Sequence, residues 1–451
     1  MLSRALGRGG GTVLPGHVIQ RLDPSALQAI ARRLPRGSVV ISGTNGKTTT
    51  SRMIAHIASR TGVHVIHNRS GANLMTGIVS AIAAQTALSG RPRGDLGLFE
   101  VDEAHVAEAV DSLRPRCLAL LNIFRDQLDR YGEIDLISSR WRKAVGRMPY
   151  DGLLVLNADD PIISRLADDA SCRVVTFGVE DPRVGGGSIG HDADRRLCPN
   201  CGHRLRYARV TYAHLGAYEC TECGWRRRTP ETALTSVRAE GSDDMLLTIS
   251  TDADAALVCL SLPGLYNAYN ALAAAAICEA VGIPLSATAE NLSTFTGAFG
   301  RYERVPIGAG EVRLALVKNP VGFNQVLAAG IAGQATTIVI AINDHFADGT
   351  DISWLWDVDF EVLDTSASGA DTRPHFVCSG TRAHDIALRL KYAGLATADI
   401  EVEPRLEFAL RIAVEDAEGG GRAIIFPTYT AMLDVRRSLQ RRGSVAPFWE
   451  D

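Results

Sequence analysis

One short segment, residues 41–50 (ISGTNGKTTT), constrains the fold more than any other part of the chain. It joins an apolar stretch at 38–42 to a helix pattern that starts at Lys47. A strand, a glycine-rich turn and a helix in this order aim backbone N–H groups at one point, beside the positive end of the helix dipole. Phosphate oxygens are the expected occupant, with Lys47 on the outer phosphates and the Thr48 hydroxyl on Mg²⁺. The simpler alternative is a glycine turn before a helix with a solvated lysine.

Apolar runs and helical patterns alternate from residue 37 to about residue 157. The strand patterns are 38–42, 63–67, 96–102, 117–122 and 152–157. The helix patterns between them are 47–60, 76–88 and 134–148. Because near-continuous apolar strands separated by helices are typical of α/β proteins, we predict a parallel sheet with helices on both faces.

A second, smaller α/β unit is predicted after a boundary near 299–306. Its strand patterns are 312–317, 336–342, 375–379, 400–402 and 422–427, and its helix patterns are 322–332, 383–392, 406–418 and 429–442. We therefore expect three parts, which are an N-terminal segment 1–36, a nucleotide-binding domain 37–300 and a Rossmann-like C-terminal α/β domain 306–451.

Charge and hydropathy argue against two broad classes of protein, general nucleic-acid binders and proteins that span a membrane. The net charge is −4 and the isoelectric point is about 6.3, whereas general nucleic-acid binding favours a strongly basic balance. No stretch reaches the roughly 18 apolar residues of a membrane span, and residues 1–16 lack the apolar core of a secretory signal. We expect a cytoplasmic protein that does not bind nucleic acid.

Nine cysteines fall into two groups. Five stand singly among apolar residues and are expected to be reduced core residues. The other four form two close pairs, Cys198 with Cys201 and Cys220 with Cys223, in an insert at about 190–230. Four thiolates on two tight turns make a closed tetrahedral site, so we predict a zinc ribbon with a structural Zn²⁺. The basic run 226–228 is either a solvated edge or a contact for nucleic acid.

The segment 43–50 (GTNGKTTT) resembles the ATP loop of the Mur ligase family, whose members join amino acids to carboxylates through acyl phosphates. The general P-loop pattern is not met, because Ile41 stands where that pattern has its first glycine. The resemblance implies a Mur ligase central domain. It also implies that ATP is bound by Gly43, Thr44, Asn45, Gly46, Lys47, Thr48 and Thr49.

Two further segments resemble the metal-binding parts of the same family. Glu100 matches a glutamate that binds Mg²⁺ and takes part in catalysis, which makes Thr48 and Glu100 the expected magnesium ligands. The alternative is that Glu100 only caps the end of a strand. The segment 122–131 resembles a metal-contacting motif, although Gln127 replaces its usual histidine. Some Mur ligases carry a carbamylated lysine, and the residue to compare with it is Lys143.

The resemblance extends to the nucleotide contacts on the other side of the ATP loop. Asn267 and Asn270 match asparagines that face adenine, and Arg301 matches an arginine that contacts phosphate. Read without the family, the two asparagines are candidate helix N-caps and Arg301 is a candidate for an interdomain ion pair.

The position of the loop narrows the resemblance. Only 42 residues precede Gly43, too few for the uridine-nucleotide domain of other Mur ligases. With the four-cysteine ribbon and a divergent C-terminal domain, the chain resembles the MurT family, the synthetase subunits of lipid II isoglutaminyl synthase. The resemblance implies ATP-dependent amidation of the D-glutamate α-carboxylate in the lipid II stem peptide. It also implies a heterodimer with a GatD-like glutaminase that supplies ammonia, and peripheral membrane contact through the lipid.

The source of ammonia bears on two residues of the C-terminal domain. Cys378 is the one cysteine near a strand end that resembles a nucleophile, but it lacks the glycine that usually precedes one. The family implies that Asp351 completes the Cys–His pair of the partner as a catalytic carboxylate. The alternative is that Asp351 or Ser353 only caps a short helix, on which Trp354 and Trp356 are either interface or core residues.

Two rival functions remain open at the level of sequence. One is a ligase that adds an amino acid, as folylpolyglutamate synthetases do, and the other is a zinc-ribbon ATPase that binds nucleic acid. Residues 318–320 are a candidate second contact to the phosphates, with a surface turn as the alternative.

Overall fold

The computed structural model describes residues 14–23, 25–68, 72–87, 89–124, 134–186, 197–240, 243–297, 301–329, 335–364 and 373–445. Within these residues the chain forms two large sheets, one small hairpin and the helices that cover them.

The first sheet and the hairpin use the strands before residue 261. These are β1 Ser38–Ser42, β2 Val65–His67, β3 Leu96–Glu100, β4 Cys117–Leu120, β5 Leu153–Asn157, β6 Arg173–Val179, β7 Leu205–Tyr212, β8 Leu215–Cys220, β9 Thr232–Glu240, β10 Asp244–Ser250 and β11 Ala255–Leu260. The sheet order is β11-β10-β9-β6-β5-β4-β1-β3-β2, and β7 pairs only with β8. Strands β1 to β5 run parallel, as the apolar runs predict, and β6 and β9 continue the parallel sheet. Strand β10 runs antiparallel to both of its neighbours, β9 and β11.

Helices cover both faces of this sheet, and the predicted α/β class is confirmed. They are α1 Leu14–Leu22, α2 Ala26–Ala31, α3 Lys47–Arg60, α4 Met75–Ala84, α5 Val106–Leu113, α6 Ile134–Val145, α7 Pro161–Arg165, α8 Leu265–Ala280 and α9 Leu285–Leu292, with 3-10 turns at Glu103–His105 and Leu166–Asp169. One core lies between the sheet and α3, α8 and α9, and a second lies under α4, α5 and α6.

The second sheet has the order β12-β13-β17-β14-β15-β16. Its strands are β12 Arg301–Ile307, β13 Gly310–Ala315, β14 Thr337–Ala341, β15 His375–Ser379, β16 Ile400–Val402 and β17 Arg422–Pro427. Its helices are α10 Pro320–Ala328, α11 Ala383–Tyr392, α12 Leu406–Glu418 and α13 Tyr429–Arg441, with 3-10 turns at Ser353–Asp357, Phe360–Leu363 and Thr397–Asp399.

Strand β12 begins inside the segment that the sequence pattern left between the two domains. Residues 301–307 pair antiparallel with β13 at the edge of the second sheet. The sequence did not predict β12 because it contains Pro306, and proline cannot donate a backbone hydrogen bond to a sheet. An edge strand tolerates a proline, since one of its sides has no neighbouring strand. No helix within the described residues is long and apolar enough to cross a membrane.

The sheet order decides where the glycine-rich loop emerges. Strand β1 lies between β3 and β4, with Ile41 opposite Glu100 and Ser42 opposite Leu120. Because the three strands are parallel, the segments that follow them leave the sheet at the same edge. The loop after β1 is therefore flanked by Glu100 on one side and by the residues after Leu120 on the other.

Candidate functional site

The loop between β1 and α3 depends on two glycines. Gly46 is the N-cap of α3 with φ of 86°, a left-handed conformation that glycine adopts without strain. Gly43 has φ of 149°, and a Cβ there would lie 3.1 Å from the backbone nitrogen of Asn122. The loop thus approaches the neighbouring backbone more closely than a larger residue would allow.

The segment after β4 holds the loop from one side. The Asn122 side chain accepts from the Asn45 N–H at 2.9 Å and donates to the Asn45 carbonyl at 3.0 Å. The Thr44 N–H donates to the Asn122 carbonyl at 3.1 Å. The Thr44 hydroxyl accepts from the Phe124 N–H at 2.9 Å and donates to the Phe124 carbonyl at 3.2 Å. These five hydrogen bonds fix the backbone of the loop before any ligand arrives.

Lys47 lies where α3 begins, and its ammonium group has two partners. It donates to the Gly43 carbonyl at 2.5 Å and pairs with Glu103 Oε1 at 2.9 Å. Both side chains of the ion pair are about nine-tenths buried. Glu103 has no assigned role in the sequence prediction, because only the fold brings the turn after β3 to the start of α3.

The two predicted magnesium ligands are in contact. The Thr48 hydroxyl donates to Glu100 Oε2 at 2.8 Å, and the Glu100 side chain is only 5% exposed. Asn68 fixes the backbone of Glu100 by accepting from its N–H at 2.9 Å and donating to its carbonyl at 2.8 Å. His67 Nε2 lies 3.7 Å from Glu100 Oε1. A hydroxyl and a carboxylate at one point are oxygen ligands of the kind that Mg²⁺ prefers.

Asn267 and Asn270 lie on the side of α8 that faces the loop. Both are buried, and the N-cap of α8 is Gly264, so neither asparagine has the capping role that was the alternative. The Asn267 amide donates to the Pro263 carbonyl at 2.7 Å. A Cβ placed on Gly46 would lie 2.2 Å from Asn270 Oδ1, which puts the Asn270 amide directly over the loop.

The second sheet also reaches the loop, through the segment after β13. Lys318 donates to the Thr44 carbonyl at 2.8 Å, and the Asn319 amide donates to Asn45 Oδ1 at 3.0 Å. Asn319 also caps α10 by accepting from the Gly322 N–H at 2.8 Å. Residues 318 and 319 are therefore in contact with the loop between β1 and α3, residues 43–47, which we call the phosphate loop. They do not form an isolated surface turn.

Two predicted features are not placed by the described residues. The segment 125–131, which contains Gln127, lies outside them, and so does the side chain of Arg301. Lys143 is exposed on α6.

The four paired cysteines converge at the open end of the β7–β8 hairpin. The Sγ atoms of Cys198, Cys201, Cys220 and Cys223 all lie within 4.8 Å of one another. The Cys198–Cys223 and Cys201–Cys220 distances are 3.7 and 3.4 Å. Zn–S bonds of about 2.3 Å in a tetrahedron require sulfur atoms about 3.8 Å apart, so the donor set fits zinc.

The basic run beside the ribbon is largely occupied by acidic partners. Arg227 pairs with Asp159 and with Glu180, both at 2.6 Å, and Arg228 pairs with Asp168. These ion pairs leave two of the three arginines engaged with the protein itself, which weakens the case for a nucleic-acid surface.

Asp351 lies in the loop that follows β14. It is exposed, and its Oδ1 accepts from the Ser353 N–H at 2.8 Å, so the turn that the capping alternative requires is present. Trp354 packs partly against the core, whereas Trp356 is 54% exposed and contacts the Tyr392 ring at 5.7 Å between centroids. Cys378 is fully buried in β15, and burial raises the pKa of its thiol to about 12, which disfavours the thiolate that a nucleophile needs.

The fold and the loop site together define a ligase of the Mur type. A family model described as the Mur ligase middle domain matches residues 41–197, and one described as MurT ligase C-terminal matches residues 316–432. A pseudomurein peptide ligase type C from Methanothermus fervidus shares the fold, with TM-score 0.67 and 23% identity over 90% of this chain and 78% of that one. A MurF ligase from Thermotoga maritima, solved in complex with ADP, gives TM-score 0.63 and 12% identity over 93% and 84%.

Two curated relatives are similar along nearly their whole length. Each is described as the MurT subunit of a glutamine-hydrolysing lipid II isoglutaminyl synthase. The one from Staphylococcus aureus is 32% identical over 97% of this chain and 95% of its own. The one from Streptococcus pneumoniae is 34% identical over 99% and 95%. The chain belongs to the MurT family.

Proposed function

We propose that this chain is the synthetase subunit that amidates lipid II, converting the α-carboxylate of the stem-peptide D-glutamate to the amide of D-isoglutamine. The observation that carries the proposal is the grouping of Lys47, Thr48 and Glu100 around one backbone loop. This grouping occurs in a chain that is related over its full length to subunits of that enzyme.

The first step activates a carboxylate, which is a poor electrophile because its negative charge repels nucleophiles. ATP supplies a phosphoryl group, and the acyl phosphate that forms has a good leaving group. The N–H groups of residues 46–48 and the Lys47 ammonium group hold the phosphates and stabilise the charge that develops during transfer, since the N–H groups of Thr44 and Asn45 donate to Asn122. Lys47 must then leave Glu103, its partner in the structure, and we expect this exchange to accompany nucleotide binding.

Magnesium and zinc have different roles in the proposal. Thr48 and Glu100 would hold Mg²⁺, which neutralises charge on the transferring phosphoryl group. Asn267 and Asn270 would face the adenine, and Arg301 would contact phosphate. The four cysteines would hold a structural Zn²⁺, because a site closed by four thiolates has no open position for a substrate.

The second step needs ammonia, and Cys378 is too deeply buried to generate it from glutamine. We infer a heterodimer with a GatD-like glutaminase. Asp351 would orient the imidazole of the partner's Cys–His pair, since it is exposed and held by only one described hydrogen bond, from Ser353. The exposed ring of Trp356, five residues further on, is a candidate interface anchor.

Lys318 and Asn319 would close the site from the second domain. They already contact the loop at Thr44 and Asn45, so the domain 306–451 would cover a nucleotide bound to the domain 37–300 when these contacts are made. Closure of this kind excludes water, which would otherwise hydrolyse the acyl phosphate. We place the reaction in the cytoplasm at the inner face of the membrane, where the chain would touch the bilayer only through its lipid substrate.

The test is transfer of ¹⁵N from the amide of glutamine into lipid II, followed by mass spectrometry, with and without the glutaminase subunit. We expect label in lipid II only when both subunits are present, and amidation from added ammonium salt with this chain alone. Asp351→Asn should abolish the glutamine-dependent reaction and leave the ammonium-dependent one intact. Exposed Asp357→Asn, six residues away, is the matched control and should leave both intact.

The possible failures of this test point to different conclusions. Incorporation of an amino acid in place of ammonia would favour the rival ligase function, as in folylpolyglutamate synthetases. No transfer with a competent glutaminase partner present would contradict the proposed function. Equal loss of both reactions in Asp351→Asn would contradict the role assigned to Asp351.

A further inference from the structure

The β7–β8 hairpin has one buried end and one exposed end. Its turn is buried, whereas the cysteine cluster at the opposite end includes the exposed residues Cys201 and Cys223. Ala213 and His214 form the turn, and the side chain of His214 is 0% exposed. The turn lies about 17 Å from Cys220, at about 3.3 Å per residue of strand. The turn of the ribbon is therefore inserted into the domain that carries the phosphate loop, and its cysteine cluster lies at the surface.

The His214 ring lies against the segment that holds the phosphate loop. Its centroid is 5.1 Å from that of Phe124, whose backbone makes the two hydrogen bonds to Thr44 described above. On its other side, His214 Nε2 is 3.4 Å from Asp160 Oδ2. That same oxygen accepts from the Ile123 N–H at 2.9 Å.

The Asp160 side chain is itself held in place by backbone hydrogen bonds. It is fully buried and caps α7 by accepting from the Ile162 N–H at 2.9 Å and the Ile163 N–H at 3.2 Å. One carboxylate therefore joins α7, the tip of the ribbon and the segment after β4. A change at His214 is therefore expected to affect Thr44 through the Asp160 carboxylate and the Phe124 ring.

A second connection runs from the ribbon to α8. The Tyr269 hydroxyl donates to Asp159 Oδ2 at 2.5 Å, and Arg227, in the segment after β8, pairs with Asp159 Oδ1 at 2.6 Å. The Tyr212 ring packs edge-on against the Tyr269 ring, with centroids 5.4 Å apart. Tyr269 immediately precedes Asn270, which lies over Gly46. The ribbon thus supports the phosphate loop from two sides.

Packing alone does not account for a histidine at the tip. Within the described residues neither ring nitrogen of His214 makes a hydrogen bond of good geometry, and its polar contact is the one at 3.4 Å to Asp160. An apolar side chain of similar size would fill the same space without the cost of burying two polar atoms.

We propose that His214 is a positioning residue for the phosphate loop, acting through Asp160 and Phe124, and that the ribbon serves to carry this histidine. The inference rests on the proposed ATP site but not on the amidation reaction. Its readout is nucleotide binding, so a chain that binds ADP without amidating lipid II would leave the inference standing.

The test compares two substitutions of nearly equal volume in the full chain. His214→Leu fills the space without a polar atom, and His214→Gln keeps a donor toward Asp160. We expect His214→Leu to weaken ADP binding, measured by titration calorimetry, by about two- to thirtyfold, and His214→Gln to lie nearer the parent protein. Arg206→Gln, exposed on the same hairpin, should not change binding.

Two further measurements separate positioning from loss of structure. Zinc content and the thermal unfolding midpoint of His214→Leu should stay close to those of Arg206→Gln. Hydrogen exchange at residues 43–46 and 121–124 should increase in His214→Leu. Equal ADP affinity and equal exchange in the Leu and Gln variants would overturn the proposal and leave His214 as a packing residue. If His214→Leu does not fold, His214→Met, which also lacks a donor, takes its place in the same comparison, and equal affinity and exchange in the Met and Gln variants would overturn the proposal.

Discussion

Gly46→Ala tests the loop geometry most directly, because it should lower stability in two separate ways, through backbone strain and through displacement of Asn270. The backbone has φ of 86°, which costs an alanine about 1–2 kcal/mol. The new Cβ would also lie 2.2 Å from Asn270 Oδ1, so the Asn270 amide must move. Its 3.3 Å hydrogen bond to Asn267 would be lost, and a buried polar group left without its partner costs about 1–3 kcal/mol. We expect a total loss of about 2–5 kcal/mol.

Gly62→Ala is the matched control for the backbone cost. Gly62 follows the same helix with φ of 77°, and no atom lies within 4 Å of a Cβ placed there. The free energy of unfolding of Gly62→Ala should therefore fall by only about 1–2 kcal/mol, the cost of the left-handed conformation. Urea unfolding followed by circular dichroism gives the free energies, and titration with ADP gives the affinities. Gly46→Ala should lose ADP binding, whereas Gly62→Ala should keep it.

A double substitution isolates the contact with Asn270. Once Asn270→Ala has removed the amide, Gly46→Ala should cost no more stability than Gly62→Ala, because only the backbone term remains. If Gly46→Ala and Gly62→Ala are equally stable and bind ADP equally well, the placement of Asn270 over the loop is refuted.

The remaining predictions concern the metal sites and one ion pair. Glu100→Gln keeps the shape of the side chain but removes its charge, so kcat should fall by about a hundredfold or more and saturation should need more Mg²⁺, measured by magnesium titration. An unchanged magnesium dependence would contradict the assignment. Cys201→Ser should remove the bound zinc and lower the unfolding temperature, whereas Cys259→Ser, at an exposed unpaired cysteine, should do neither. The hydrogen-bonded Arg183 holds the pKa of Asp181 well below its usual 3.8, so this pair stabilises the fold above that pH and the contribution is lost as the pH falls. Asp181→Asn should therefore lower stability at neutral pH and flatten its decline in acid.

Much of the fold could be predicted because its signals are local. Helices α3, α11 and α12 and strands β1, β15, β16 and β17 have the predicted bounds, since their apolar patterns and their turns lie within a few consecutive residues. The N-terminal helices and the strands β9, β10 and β11 were not predicted in detail. The half-exposed faces of these strands weaken the apolar pattern, and the pairing of β9 with β6 is a long-range event.

The candidate site divides in the same way. The sequence by itself determined the phosphate loop and the four thiolates, because each set of groups lies on a few adjacent residues whose turns bring them together. Only the tertiary structure decided that Glu103 pairs with Lys47, that Asn122 and Lys318 hold the loop, and that His214 lies beneath it. Those contacts depend on the order of strands in the sheet and on the docking of the ribbon. Such long-range packing leaves no periodic signal in the sequence.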